Sequence, residues 1–282
     1  MGGEARTIHD VGLTPLPTGK HRHRKINGAA VAGSARVFLA LALVLGVWQG
    51  LALLSSPTLF PGIGLTFSKI AKFYATGELL KNATVTTTRV TVAFLLALCT
   101  GTVTGILMGS SRFLEGLSKP IIFTLQTISS VIWSFFAVLW LGLTDLAVIF
   151  VVFIVGFPLI AIHVWEGVKS VDVGLEDMAR CFRVPRSQII RGITIPSVLP
   201  FLFAGIRGSL SYCWKIVVLA ELMVGKGGIG YSLYFAWEQF RVAEVFAWVV
   251  VMVTLMLANE YLIIRPIELS VMRWRPKRMD DR

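Results

Sequence analysis

Three ionisable side chains, Arg207, Lys215 and Glu221, stand in an otherwise apolar run over residues 198–222. At 100° per residue, Arg207, Ser211, Trp214, Val218 and Glu221 fall within about 40° of one helical stripe, and Lys215 lies about 80° from Arg207. Such groups in an apolar helix either line a route for a polar solute or tie the helix to its neighbours. Arg207 lies roughly 15 Å along the helix from Pro196 and Glu221 about 21 Å further on, so the two are out of each other's reach. Arg207 is left to neutralise an anion or to brace a carboxylate or the carbonyl end of another helix. Lys215 either selects an anion or extends its stem to water. Trp133 and Phe136, in an aromatic-rich run over residues 120–142, offer ring faces to a flat solute or to core packing.

A second kind of chemistry is written between residues 165 and 207, a polar, basic insert between two apolar runs. Leu175, Met178, Ala179 and Phe182 recur at i, i+3, i+4 and i+7, while Glu176, Asp177, Arg180 and Arg183 take the other face. This spacing predicts a short amphipathic docking helix. Asp172 is placed to cap its start, and Val184-Pro185 to stop it, because the residue before a proline avoids the α region. A further helical run over Gln188–Ile195 leads to Pro196.

No catalytic or metal-binding constellation accompanies these features. His9, His21 and His23 stand in a polar N-terminal stretch and His163 stands alone. Gly225-Lys226-Gly227-Gly228-Ile229-Gly230 is no Walker loop, since Lys226 is followed by Gly227 rather than Ser or Thr; it reads as a flexible outer turn, a gate or a protein contact. Cys99, Cys181 and Cys213 have neither disulfide nor zinc spacing and read as small packing residues.

The elements that must position these residues are set by composition. Of 282 residues, 55% are hydrophobic and only 15% charged, which excludes an ordinary soluble domain. The expected fold is all-α, a polytopic membrane protein of about six helices, over residues 37–55, 84–108, 120–142, 146–164, 198–222 and 245–264. The net charge of +11 does not indicate nucleic acid. Its basic residues gather at 20–36, 112–119, 169–191 and 265–282, in alternate loops and both termini, which the positive-inside rule places in the cytoplasm. Residues 1–35 are expected as a disordered cytoplasmic tail with a basic anchor at His21–Lys25, residues 36–265 as the membrane domain with its cytoplasmic loop at 166–197, and residues 266–282 as a basic tail. The first span is expected to be retained rather than cleaved. Leu65–Ala75 reads as an amphipathic surface segment. Ala97, Gly101, Gly105 and Gly109 form a small-residue stripe for close helix packing, within one chain or across a seam between two. Gly142-Leu143-Thr144-Asp145 reads as a tight hairpin turn, and Arg89, after Thr86-Thr87-Thr88, as a helix-end anchor.

The pattern D-M-A-x3-R-x9-I-x-I-P, from Asp177 to Pro196, resembles the E-A-A-x3-G-x9-I-x-L-P loop of permease subunits of bacterial ATP-binding-cassette importers. Gly77-Glu78-Leu79-Leu80, Trp140-Leu141-Gly142, Gly205-Ile206-Arg207, and Ala220-Glu221 before Gly227-Gly228-Ile229-Gly230 are similar to the nitrate, sulfonate, taurine and bicarbonate group of that family. The chain departs from the pattern at Asp177, Met178 and Arg183, the last standing where the family's loop turns on glycine; Pro185 is expected to make the turn instead. Ser129, Ser130 and Phe135 stand where the family commonly has prolines, so a straighter third span is expected.

The resemblance implies a non-catalytic subunit of the bacterial inner membrane, with no cofactor of its own. Two copies would form the pathway, two cytoplasmic ATPase subunits would supply ATP and magnesium, and a periplasmic or lipid-anchored binding protein would deliver the solute. Membrane lipid surrounds such a chain, and nucleic acid has no part. Asp172, Leu175, Asp177, Met178, Ala179, Phe182, Arg183 and Pro196 would then couple to the ATPase. Trp133, Phe136, Arg207, Ser211, Trp214, Lys215 and Glu221 would border the pathway. The family carries arginine at position 207 across many solutes, which favours a brace there, whereas Lys215 is outside its pattern. A passive channel or ion-coupled secondary transporter is the alternative, but no internal repeat supports it and it gives the docking helix no purpose. A membrane-embedded enzyme or assembly factor lacks a constellation of reacting groups.

Overall fold

The computed structural model describes residues 26–56 and 59–271, so the basic anchor at His21–Lys25 and the tail after residue 271 lie outside the described residues. The protein is an all-α polytopic membrane protein, and its chain divides after Leu51 into two units. The first holds most of α1 (Ile26–Leu54), whose Ala42–Leu54 stretch is apolar. The second contains α2 (Ile63–Ala75), α3 (Glu78–Ser110), α4 (Arg112–Thr127), α5 (Ser130–Leu141), α6 (Asp145–Lys169), α7 (Val173–Cys181), the short α8 (Arg186–Ile189), α9 (Ile195–Val224), α10 (Ile229–Glu238), α11 (Val242–Asn259) and α12 (Arg265–Val271).

Four helical stretches are long and apolar enough to cross a membrane alone: Glu78–Ser110, Asp145–Lys169, Arg186–Val224 and Val242–Glu268. The third expected span is different. Instead of one straight helix over 120–142, α4 and α5 meet at a 96° bend. Ile128 (ψ 127°) and Ser129 (ψ 142°) are extended, and the Ser129 hydroxyl accepts the Val131 N–H at 3.4 Å. The serine that replaces proline here starts a new helix by capping it, so losing the proline did not straighten the chain. Trp133 Nε1 donates across the bend to the Leu125 carbonyl at 3.4 Å.

The expected hairpin turn forms between α5 and α6. Gly142 takes a left-handed φ of 68°, Thr144 caps α6 by accepting from Ala147 N–H at 3.3 Å, and Asp145 lies at the positive end of the helix dipole. A π-helical turn, Ile190–Thr194, joins α8 to α9. Pro196 cannot donate to the Gly192 carbonyl and its ring crowds that oxygen, so the turn widens and Ile195 N–H reaches back to Ile190.

The core is built around α6, which packs against α3 on one side and α9 on another. Val148, Val151, Val152, Ile160 and Val164 of α6 have no exposed surface. The small-residue stripe of α3 faces α6 within the same chain. A methyl placed on Gly101 would lie 3.0 Å from Ile160 Cβ, and on Gly105 it would lie 2.7 Å from both the Ala161 carbonyl and Val164 Cβ; at Gly109 it would strike Val168. In lipid, where apolar surface gains nothing by leaving the solvent, this close approach supplies the dispersion contact that holds the pair together. Outside this core, α2 is amphipathic as expected: Phe73 is buried and stacks on Trp248 of α11 at 4.6 Å, while Phe67 and Tyr74 are exposed.

Gly105→Ala should therefore push α3 from α6 and cost about 1–3 kcal/mol. Gly208→Ala, where a methyl meets nothing within 4 Å, should be neutral or gain up to about 1 kcal/mol of helix propensity. Thermal melting of both variants in detergent separates them, and equal midpoints would contradict the packing described.

Candidate functional site

Glu221, near the end of α9, has no exposed surface, and its carboxylate collects donors from two elements, α3 and α10. From α3, Arg89 Nη1 donates at 2.6 Å and Thr86 Oγ1 at 2.9 Å to Oε1; the Gly230 N–H of α10 donates to Oε2 at 2.8 Å. Thr86 and Arg89 are three residues apart, hence on one face of α3. Arg89, itself 4% exposed, also donates to the Gly227 carbonyl at 2.6 Å and pairs with Asp145 at the start of α6. This clasp joins the ends of α3, α6, α9 and α10.

The glycines after α9 follow from the clasp. Gly228 has φ 100°, and a methyl there would collide with the Glu221 carboxylate; at Gly230 it would come within 2.8 Å of Glu221 Cβ. Gly228 N–H donates to Asn82 Oδ1 at 3.2 Å and Ile229 N–H to Thr86 Oγ1 at 2.9 Å. The segment expected as a flexible turn is thus a backbone cage fixed around a buried anion. Arg89, expected as a helix-end anchor, is the cation of that anion. The sequence held a signal for it, Thr86 and Arg89 on one face of an apolar helix, but the partner is 132 residues away.

The residues expected to border one pathway separate into two groups. Trp214, 1% exposed, and Glu221 are inside the protomer and border nothing open, because the stripe they share turns towards α3 and α6. Trp133 is buried too, packed edge-on to Phe150 of α6 with centroids 6.2 Å apart. Phe136 is exposed and Ser211 half-buried. Arg207 donates from Nε to Glu260 at 2.7 Å and pairs from Nη2 with Glu268 at 3.0 Å, so its charge is committed to the C-terminal helices. Lys215 is exposed, six residues or about 9 Å inward of Glu221, with no hydrogen bond or ion pair among the described residues.

At the other end of the spans lies α7. Asp172 caps it, accepting from Gly174 N–H at 2.8 Å. Glu176 turns inward to accept from Thr194 at 3.3 Å, which fastens α7 to the π-helical turn before α9. The helix ends at Arg183 rather than Pro185: Arg183 has φ 55°, its N–H reaches Arg180 at 2.9 Å, and Val184 N–H reaches Ala179 at 3.0 Å. This is a Schellman cap with arginine in the left-handed position that glycine takes most readily. The outer face is apolar and uncovered in the chain: Leu175 is 45% exposed, Met178 53% and Phe182 78%. Ala179 is part-exposed and Asp177 exposed, within reach of Arg180 at 3.8 Å. Pro196 is in the first turn of α9.

Comparison with known proteins adds a family to this geometry. The model of the family described as binding-protein-dependent transport system inner membrane component matches residues 101–264. A Bacillus subtilis protein named for aliphatic sulfonates transport, permease protein SsuC, is 29% identical over 259 residues, 89% of this chain and 92% of that protein. The nitrate import permease NrtB of Synechococcus elongatus is 32% identical over 54% of each chain, and the bicarbonate transport permease CmpB of the same organism is 31% identical over 56% of this chain and 57% of its own. The chain thus spans about half the length of the latter two. An inward-facing MetNI methionine transporter superposes with a TM-score of 0.59 at 20% identity, covering 71% of this chain and 96% of that one, a likeness of fold.

Removing one partner of the clasp leaves the other charged and dry. Glu221→Met should cost about 3–5 kcal/mol, whereas Arg89→Met with Glu221→Met should cost less than the two single changes added together. Melting of the three variants in detergent measures the coupling, and strict additivity would show that the pair contributes nothing.

Proposed function

The chain belongs to the family of binding-protein-dependent transport system inner membrane components, the permeases of ATP-binding-cassette importers, and from that premise we propose that it carries a small anion, a sulfonate, nitrate or bicarbonate, inward across the membrane. The observation that carries the mechanism is the apolar face of α7, exposed in the chain and fastened to the base of α9. A cytoplasmic ATPase subunit receives Leu175, Met178, Ala179 and Phe182 in a groove, a helix-in-groove contact. Asp172 and Arg183 hold the ends of this helix, Asp177 borders it, and Pro196 stands where its motion enters α9. Two copies of the chain with two ATPases make the complete importer, and ATP and magnesium stay on the ATPases. ATP-driven closure pulls α7, and through Glu176 and Thr194 moves the first turns of α9, alternating the pathway between its two openings. The distribution of arginine and lysine supports cytoplasmic termini, and a binding protein delivers the solute from outside.

Within α9 the charge left for the solute is Lys215. The cost of an ionised lysine facing lipid, about 2.5–3.5 kcal/mol by insertion scales, favours a water-facing position for it. The relatives named for sulfonates, nitrate and bicarbonate, all anions, support the same reading.

Two experiments test these assignments. Phe182→Asp should weaken ATPase association roughly 10–100-fold, the equivalent of about 1.5–3 kcal/mol for one buried aromatic, without changing the melting of the permease; normal copurification and normal uptake would refute the docking. Lys215→Met should lower anion uptake at least several-fold while Lys215→Arg retains most of it. Wild-type uptake of nitrate, bicarbonate and methanesulfonate by Lys215→Met would remove this residue from the pathway.

A further inference from the structure

A cavity of about 1180 Å³ opens where α3 and α6 end, between α4 on one side and α7 and α8 on the other. Arg112, Lys119, Lys169, Arg180 and Arg186 line it, against two carboxylates, Glu115 and Glu176. Both carboxylates are already engaged: Glu115 accepts from Lys169 at 2.5 Å, and Glu176 accepts from Thr194 at 3.3 Å and from Arg180 at 3.5 Å. Lys119 lies over the Trp165 ring at 4.9 Å, and neither Arg112, Lys119 nor Arg186 meets a carboxylate among the described residues. Cations drawn together in a concave site with low-dielectric walls repel one another and focus a positive potential. An anion relieves both.

The walls indicate which anion. Val168, Val171 and Ile190 make part of the lining apolar, which suits an amphiphile better than a small hydrated ion. Around α4, one residue on from Arg112 and Gly116, Phe113 is 78% exposed and Leu117 56% exposed. A phosphate group seated among the cations would thus have apolar side chains beside it to receive acyl chains. Basic pockets between spans on the cytoplasmic side of a membrane take anionic phospholipid headgroups for these reasons.

We propose that this cavity is a phosphate-binding site for the headgroup of an anionic phospholipid of the inner leaflet, and that the headgroup bridges the docking helix to the ends of the spans. Arg180 and Arg186 contribute from the loop that the ATPase grips; Arg112 and Lys119 contribute from α4 and Lys169 from α6. A lipid held by both sides stiffens the lever between ATPase and α9. The side of the membrane assigned to the cavity rests on the orientation given under the proposed function.

The test uses the assembled importer with its ATPase. Wild type, an Arg112→Gln/Lys119→Gln/Arg186→Gln variant and a charge-preserving Arg112→Lys/Arg186→Lys variant are placed in nanodiscs of phosphatidylcholine, with and without phosphatidylglycerol. Retained lipid is read by native mass spectrometry, and coupling by ATP hydrolysis. The expected result is phosphatidylglycerol retained by wild type and by the lysine variant, with several-fold stimulation of hydrolysis, and loss of both in the glutamine variant. Inorganic phosphate and glycerophosphoglycerol, added to phosphatidylcholine discs, identify the source. If either soluble compound reproduces the stimulation and the glutamine variant abolishes it, the phosphate chemistry stands and its source is the cytosol. Retention and stimulation unchanged in the glutamine variant would overturn the proposal. So would loss of the ATPase from that variant in pure phosphatidylcholine where wild type keeps it, since the cavity would then be filled by an acidic segment of the ATPase. If no ATPase associates with wild type either, the importer reading fails, and lipid retention by the permease alone still reports on the cavity.

Discussion

A buried carboxylate needs donors wherever it is placed, and in a membrane it needs them from protein. Glu221 is such a group, and the helices around the end of α9 are arranged to supply it. Thr86 and Arg89 fix the rotation of α3, Gly230 fixes the entry of α10, and Asp145 draws the start of α6 to the same arginine. The loop that closes the cage has glycine where any side chain would displace the carboxylate. Breaking the pair strands a charge, so the clasp tolerates replacement of both partners better than loss of either.

Below the clasp the structure is held by contact rather than by charge. The glycine stripe of α3 lets its backbone rest on α6, and Ser209 of α9 donates to the Gly156 carbonyl of α6 at 3.0 Å where the two helices approach closely. Arg207 with Glu260 and Glu268 ties α9 to the C-terminal helices, as Arg89 ties its far end through Glu221. These fixed contacts leave α7 as an outlying element, capped at Asp172 and Arg183, fastened by Glu176 to the π-helical turn before α9, and bare on its apolar face.

What could be read from the sequence was whatever depends on neighbours in sequence. The amphipathic face of α7, its aspartate cap, the glycine hairpin turn at Gly142 and the small-residue stripe of α3 are set by spacing within a few residues. The clasp was hidden because Arg89 and Glu221 lie 132 residues apart and each reads plausibly alone. A polar stripe states only that a helix has two faces, and the neighbouring helices decide which face is inside; at Trp214 and Glu221 it is the buried one. The break after Thr127 was missed for a subtler reason: absent prolines do not make a helix continuous when two serines follow that can cap another. Arg183 likewise shows that a turn usually made by glycine can be made by a residue that bears the strain of φ 55°.

The bend between α4 and α5 has a consequence for the solvent around the chain. α5 has 12 residues and so rises only about 18 Å from the turn at Gly142, less than a hydrocarbon core of about 30 Å. A helix of that height does not cross the core alone, so the extended backbone at Ile128 and Ser129 needs its donors from protein or water, since lipid has none. Trp133 supplies one of them, to the Leu125 carbonyl, so a single indole stands in for part of the helical ladder at the bend.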